Sequence, residues 1–231
     1  MPHFDIVRET LPVKSFRTES IKGQFDLNIS SVKESFCGNI DIEGKEWGIG
    51  LIVGSSGSGK STIAKELFGD NGYVNEFHYD ERSVVDNMPE GKSTEEITKT
   101  FNSVGFATVW SWLKPYHVLS NGEKMRVDLA RAILSDNTVI VFDEFTSVVD
   151  RTVAKTASFA ISKAVRKMGK QFIAVACHRD IIDWLEPDWI YDTDKREFFL
   201  SRRAQKTEAR NRNPKMRNRR MEAIFKVSLF E

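Results

Sequence analysis

Cysteine is scarce. Cys37 and Cys177 are the only two among 231 residues, too few for a disulfide framework and without metal-ligand spacing. No apolar run approaches the roughly 18 residues that a membrane-spanning helix needs, which argues against an integral membrane protein. The amino-terminal MPHFDIVRETLPVK has no apolar segment of the secretory kind. Net charge is nearly absent too: 34 basic against 33 acidic residues leave +1, so no global field steers the chain toward a partner of one sign. Glutamine occurs only at positions 24, 171 and 205. These absences leave a cytoplasmic protein as the expectation. What is present is a 40% hydrophobic and 29% charged composition, enough to build a core, and a length that suits one domain with or without a tail.

The neutral total hides an asymmetry. Residues 201–220 (SRRAQKTEARNRNPKMRNRR) hold nine Lys/Arg against one acid, Glu208. The rest of the chain is therefore mildly acidic. We divide the sequence into a domain over residues 1–200 and a basic tail over 201–231. The tail has the charge to meet a nucleic-acid backbone by counterion release. It lacks interleaved aromatics for base stacking, and a plainly solvated end explains the composition equally well. The closing AIFKVSLF is apolar enough to dock as a short strand.

Within the domain, apolar runs alternate with helical spacing. Residues 49–53 (IGLIV), 139–142 (VIVF) and 172–176 (FIAVA) are short, β-branched and continuously apolar, as parallel strands covered on both faces are. Residues 61–68, 124–134 and 153–167 have helical spacing between them. This alternation predicts an α/β layered domain. Residues 25–42 read as strands of an antiparallel flank.

Gly54-Ser55-Ser56-Gly57-Ser58-Gly59-Lys60-Ser61 fits G-x-x-x-x-G-K-[ST] at every fixed position, with Thr62 following. It lies after a predicted strand and before a predicted helix, the context that gives the motif its meaning. Glycines let successive N–H groups curl around an anion, and the helix presents its positive end to it. Lys60 would reach the β- and γ-phosphates of ATP, and the Ser61 hydroxyl would ligate Mg²⁺. Asp143 and Glu144 follow the predicted strand 139–142, at the strand edge where open α/β sheets bind ligands. Asp143 suits Mg²⁺; Glu144 suits a general base for water.

Residues 119–123 (LSNGE), followed by KMRVDLARAIL, resemble the signature sequence of ABC-type ATPases. The order of motifs carries the resemblance across about residues 30–190: phosphate loop, signature, acidic strand end, a D-loop-like TSVVD at 146–150, and His178. It implies a P-loop NTPase with a mixed, mainly parallel α/β sheet, an antiparallel β flank and a shortened helical subdomain. It also implies an ATP hydrolase working as a head-to-tail, ATP-dependent homodimer, an ATP-gated switch; the ATP-binding subunit of a membrane transporter and a nucleotide-dependent binding module with negligible turnover are the alternatives. Ser120, Gly122, Glu123 and Asp150 would then act on nucleotide held by the second copy, and His178 would contact the γ-phosphate and steady Glu144. The corner at Ser120 and Asn121 also reads as a helix N-cap.

Three departures from that family follow. The signature has Asn121 and Glu123 where glycine and glutamine are usual; Asn121 tolerates a left-handed backbone. No glutamine lies between phosphate loop and signature. Residues 77–82 (FHYDER) stand in that place, where Asp80 or Glu81 would face a metal or simply form an exposed turn. Finally, only sixty positions separate Lys60 from Ser120, an insert short enough to argue for a soluble member without a transporter partner. The run 112–134 is similar to soluble ABC-type ATPases often fused to predicted acetyltransferase domains. Trp110, Trp112, Pro115 and Tyr116 read mainly as a small local core, with partner docking as the alternative. Phe36 is the candidate to stack on adenine, with Phe25 as the alternative and core packing open for both.

Overall fold

The computed structural model describes residues 3–28, 31–69, 72–74 and 77–201. The basic tail, with its nucleic-acid reading, lies outside them. A five-stranded sheet forms the centre, its strands lying side by side in the order 139–142, 171–176, 49–53, 189–192 and 197–200. Its strands are β3 (Ile49–Val53), β4 (Val139–Phe142), β5 (Gln171–Ala176), β6 (Trp189–Asp192) and β7 (Glu197–Leu200). The first four run parallel, and β7 returns antiparallel to β6. The expected strands 49–53 and 139–142 match β3 and β4, and 172–176 falls within β5.

Continuous apolar sequence is explained by burial on both faces. Ile49, Leu51 and Val53 of β3 pack into one core with Phe172, Ala174 and Ala176 of β5. Ile52 and the β5 residues Ile173 and Val175 pack into a second core on the opposite face. Helices α5 (Asn121–Leu134) and α6 (Arg151–Met168) supply Leu129, Ala130, Ile161 and Val165 to the first. Helix α2 (Lys60–Phe68) gives Ile63 and Ala64 to the second. Fully burying a side chain such as Ile52 or Val175 contributes about 1.5–3 kcal/mol, so the two layers hold the sheet from both sides.

The antiparallel flank is real but differently drawn. β1 (His3–Thr10) pairs with β2 (Val32–Asn39) in a separate two-stranded sheet. Residues 25–28 are not strand; they follow α1 (Phe16–Gln24), whose capping box at Ser15 and Thr18 starts a helix with no buried residue. Phe4 of β1 is buried edge-on to Tyr191, with ring centroids 5.5 Å apart, which seats the flank on the main sheet.

Between α2 and α5 lie α3 (Thr94–Ser103), α4 (Val109–Trp112) and a short 3₁₀ turn at Tyr116–Val118. The local core expected there forms only in part. Trp112 packs beside Phe101 and donates to the Phe106 carbonyl, and Tyr116 packs on the same core. Trp110 points outward at 70% exposure, with Val109 and Leu113 exposed beside it. The remaining helix, α7 (Ile181–Leu185), joins β5 to β6. No helix among the described residues is long and apolar enough to cross a membrane.

Candidate functional site

Parallel strands deliver their carboxyl ends to one edge. There the loop after β3, the acids after β4 and the residues after β5 meet around a cavity of about 290 Å³. Its wall contains Ser56, Gly57, Gly59, Lys60, Ser61 and Thr62 from the loop, Asp143 and Glu144 from the β4 end, and Cys177. Glu34 and Phe36 of β2 close the side toward the flank.

The loop takes its curvature from Gly57 and Gly59, at φ 78° and 82°, left-handed values that glycine adopts without a side-chain penalty. Gly59 must also be bare because Phe36 lies against it; any Cβ there would collide with the ring. Lys60 begins α2, is buried, and donates to the Ser55 carbonyl at 2.6 Å. Its ammonium is thus held over the mouth of the loop. The free N–H groups at the start of α2 add a positive helix end to the same spot.

Gly54, Ser55 and Ser58 do not wall the cavity. Ser55 and Ser58 instead fasten the loop to the turn between β6 and β7. Ser55 donates its N–H and hydroxyl to Asp194, at 3.0 and 2.6 Å. The Ser58 and Thr193 hydroxyls lie 2.6 Å apart. Asp194 in turn accepts from Arg179, which also grips Asp192. The partners Ser55 and Asp194 are 139 positions apart, so no local pattern in the chain announces them.

Asp143 and Glu144 sit on a bent backbone. Glu144 has φ 54° and Thr146 φ 66°; for a β-branched threonine this is an outlier, and such positions cost about 1–3 kcal/mol each. Among the described residues Thr146 Oγ1 and Ser147 Oγ are buried without a hydrogen-bond partner. The segment after the acids is therefore held in place by its surroundings. Glu144 is exposed toward the cavity side, and Asp143 accepts the Glu144 N–H at 2.9 Å.

The remaining predicted residues lie elsewhere. His178 is exposed and does not wall the cavity. Asp150 caps α6, accepting from the N–H groups of Thr152 and Val153. Ser120 caps α5 in a reciprocal box with Glu123. The Glu123 carboxylate accepts Ser120 N–H at 3.0 Å, Ser120 Oγ at 2.8 Å and Ser111 Oγ at 2.7 Å. The Ser111 bond, with those from Ser120, holds that carboxyl below its usual range. Asn121 is not left-handed. It opens the helix and donates to the Val148 carbonyl. Gly122 follows it in the first turn.

Two alternatives resolve. Asp80 does not face the cavity: it accepts from Arg82 and Asn87 in an exposed turn, and Glu81 lies 3.5 Å from His117. Phe25 is 65% exposed at the end of α1 and does not wall the cavity, whereas Phe36 does.

A hydroxyl and a carboxylate at Ser61 and Asp143 are hard oxygen donors of the kind Mg²⁺ prefers. No group of three or more His, Cys, Asp or Glu among the described residues forms a metal cage. Such a pair fits a metal that completes its shell with phosphate oxygens and water.

Residues 70–147 match the family model described as ABC transporter. The chain is 26% identical over 207 residues to the energy-coupling factor transporter ATP-binding protein EcfA1 of Leuconostoc mesenteroides subsp. mesenteroides, covering 73% of each. It is 29% identical over 170 residues to the lactococcin-G-processing and transport ATP-binding protein LagD of Lactococcus lactis, covering 56% of this chain but 24% of LagD. The dimeric structure of MJ0796, a bacterial ABC transporter cassette, superposes with a TM-score of 0.55 at 17% identity over 72% of this chain and 89% of that one. The fold is that of an ATP-binding cassette, α/β with a mixed sheet.

These relatives overturn one expectation. The short insert argued against a transporter partner, yet the matching proteins are ATP-binding subunits or domains of transporters. The number of residues between phosphate loop and signature is therefore no argument against such a partner. The finer likeness to acetyltransferase-associated members finds no support among these relatives.

Proposed function

We propose that this chain binds and hydrolyses Mg-ATP at the interface of a head-to-tail pair of cassettes, and that the cycle drives a membrane partner in transport. The observation that carries the reading is the single cavity walled by both the phosphate loop and the Asp143–Glu144 pair. A triphosphate in that cavity meets loop N–H groups, the α2 N-terminus and Lys60, while a water beyond the γ-phosphate meets Glu144.

Phe36 would stack on adenine beside Gly59. Lys60 would leave the Ser55 carbonyl for the β- and γ-phosphate oxygens, where it offsets developing charge. Mg²⁺, held by Ser61 and Asp143, would neutralise phosphate oxygens when bound. Glu144 orients the attacking water and takes its proton; the bond between the γ-phosphorus and its bridging oxygen breaks, leaving ADP and phosphate. His178 would steady Glu144 once the γ-phosphate is present. Ser120, Gly122, Glu123 and Asp150 do not wall the cavity of their own chain, which suits a role toward nucleotide held by a second copy. In that pairing Ser120 and the α5 N-terminus would meet the γ-phosphate, Glu123 acting by holding Ser120 in place. MJ0796 pairs as a dimer, which supports the arrangement, and EcfA1 and LagD support the transport partner.

The test is phosphate release by the purified protein together with sedimentation of Glu144→Gln in Mg-ATP. Turnover by the unsubstituted protein and an ATP-dependent dimer of the variant are expected. Absence of both nucleotide binding and dimer would reject the reading.

A further inference from the structure

The phosphate loop is fastened by a group of the wrong charge. Asp194, on the turn between β6 and β7, accepts the N–H and hydroxyl of Ser55 and so holds the loop's first turn. Next to it Asp192 is almost wholly buried. The turn is pressed so close that a methyl at Gly54 would collide with Thr193 Oγ1 and come within 3.2 Å of Asp194 Oδ1. Two carboxylates thus sit beside a loop whose proposed ligand is a polyanion. A carboxylate is the natural acceptor for a backbone N–H, yet each one raises the cost of bringing phosphate near.

Among the described residues, Arg179 pairs with both acids. Arg179 forks between them, pairing with Asp192 through one nitrogen and spanning Asp192 and Asp194, at 3.1 and 2.9 Å, with the other. It is a planar guanidinium suited to two carboxylates at once. It also directly follows His178, so the same contact anchors the segment proposed to meet the γ-phosphate.

Resting on the nucleotide reading above, we propose that Arg179 is a positioning residue for triphosphate: it neutralises the Asp192–Asp194 pair beside the loop, so that a carboxylate can fasten Ser55 without repelling the nucleotide. Arg179 need not touch the ligand. Its effect reaches the phosphates through Asp194 and the loop.

The test is the affinity of the full chain for Mg-ATP and Mg-ADP at low and high salt, in Arg179→Met, Arg179→Lys, Asp194→Asn and the double variant Arg179→Met/Asp194→Asn. Arg179→Met is expected to weaken Mg-ATP several-fold at low salt, the scale of one uncompensated charge at a partly exposed site. Mg-ADP, with one charge fewer, weakens less, and both losses shrink as salt rises. Arg179→Lys keeps the charge and loses less. Adding Asp194→Asn to Arg179→Met recovers most of the Mg-ATP affinity even where the thermal midpoint stays low. A purely structural arginine would give equal losses for both nucleotides, no salt dependence and no recovery; that pattern, or unchanged affinity in a folded Arg179→Met, overturns the proposal. If the unsubstituted protein binds neither nucleotide, the phosphate-site reading falls, and this inference with it.

Discussion

Glu123 stands where the related signature usually has glutamine, and the structure gives it a measurable job. Its two oxygens accept three hydrogen bonds, two from Ser120 and one from Ser111, which is buried. Replacing Glu123 with alanine leaves Ser120 as the N-cap but removes the acceptor for its N–H and hydroxyl, about 1 kcal/mol, and strands the Ser111 hydroxyl, a further 1–3 kcal/mol or so. The expected loss is about 2–3 kcal/mol, or roughly 5–10 °C for a domain of this size. Glu123→Gln is milder. One oxygen still accepts from Ser120, and the amide donates to the Ser111 oxygen, so mainly the charge assistance is lost, about 1 kcal/mol. The pH dependence has a definite sign. The Ser111 bond first, and the Ser120 bonds after it, lower the folded carboxyl's pKa. The advantage of glutamate over glutamine is therefore full above the ordinary value of 4.5 and disappears as pH falls through the folded value. Urea unfolding of the three proteins at pH 7 and at pH 3.5 measures this. An alanine variant within 0.5 kcal/mol of the parent, or a glutamine variant as damaged as the alanine one at pH 7, would refute the capping account.

Three further outcomes are expected. Gly54→Ala should fold but lose nucleotide affinity, because the added methyl meets Thr193 and displaces the loop; normal affinity by calorimetry would contradict this. Asp188→Ala should lower stability by about 3–5 kcal/mol, since Asp188 accepts the N–H groups of Gly48 and Ile49 and pairs with Arg166; denaturant midpoints test it. Asp128 accepts the hydroxyls of Tyr79 and Tyr116, and burial pushes its carboxyl up to about 6. A raised folded value means the contribution is present below the unfolded value near 3.8 and is lost as pH rises through 6. Asp128→Asn should therefore gain on the parent over that range, and parallel pH–stability curves would refute it.

How much was legible depended on what each element buries. β3, β4 and β5 are covered on both faces, so their sequence is an unbroken apolar run with bounds that can be read directly. β1 and β2 bury little beyond Phe4 and half of Phe36, which leaves no clean alternation. α1 has a capping box but no apolar stripe, and a helix without a buried face gives no periodicity. Crowding of Trp110 and Trp112 in one segment suggests that both enter a core, yet only Trp112 turns inward. At the site, the glycine-lysine loop and the acids after β4 were visible because one short segment carries each. The Asp194–Arg179 fastening was not, since its members come from β3, β5 and β6 and meet only when the sheet is assembled. The role of Glu123 was half visible: S-x-x-E is a capping box, but the pull of Ser111 from α4 is tertiary.

The central claim is that a triphosphate lies between the loop at 54–62 and the Asp143–Glu144 pair, closed over by a second copy. A crystal structure of Glu144→Gln grown with Mg-ATP tests it most directly. The expected density has β- and γ-phosphates against Lys60 and the loop N–H groups, with Ser120 of a neighbouring copy at the γ-phosphate. Nucleotide bound elsewhere on the chain, or a filled loop with no second copy near it, would contradict the account.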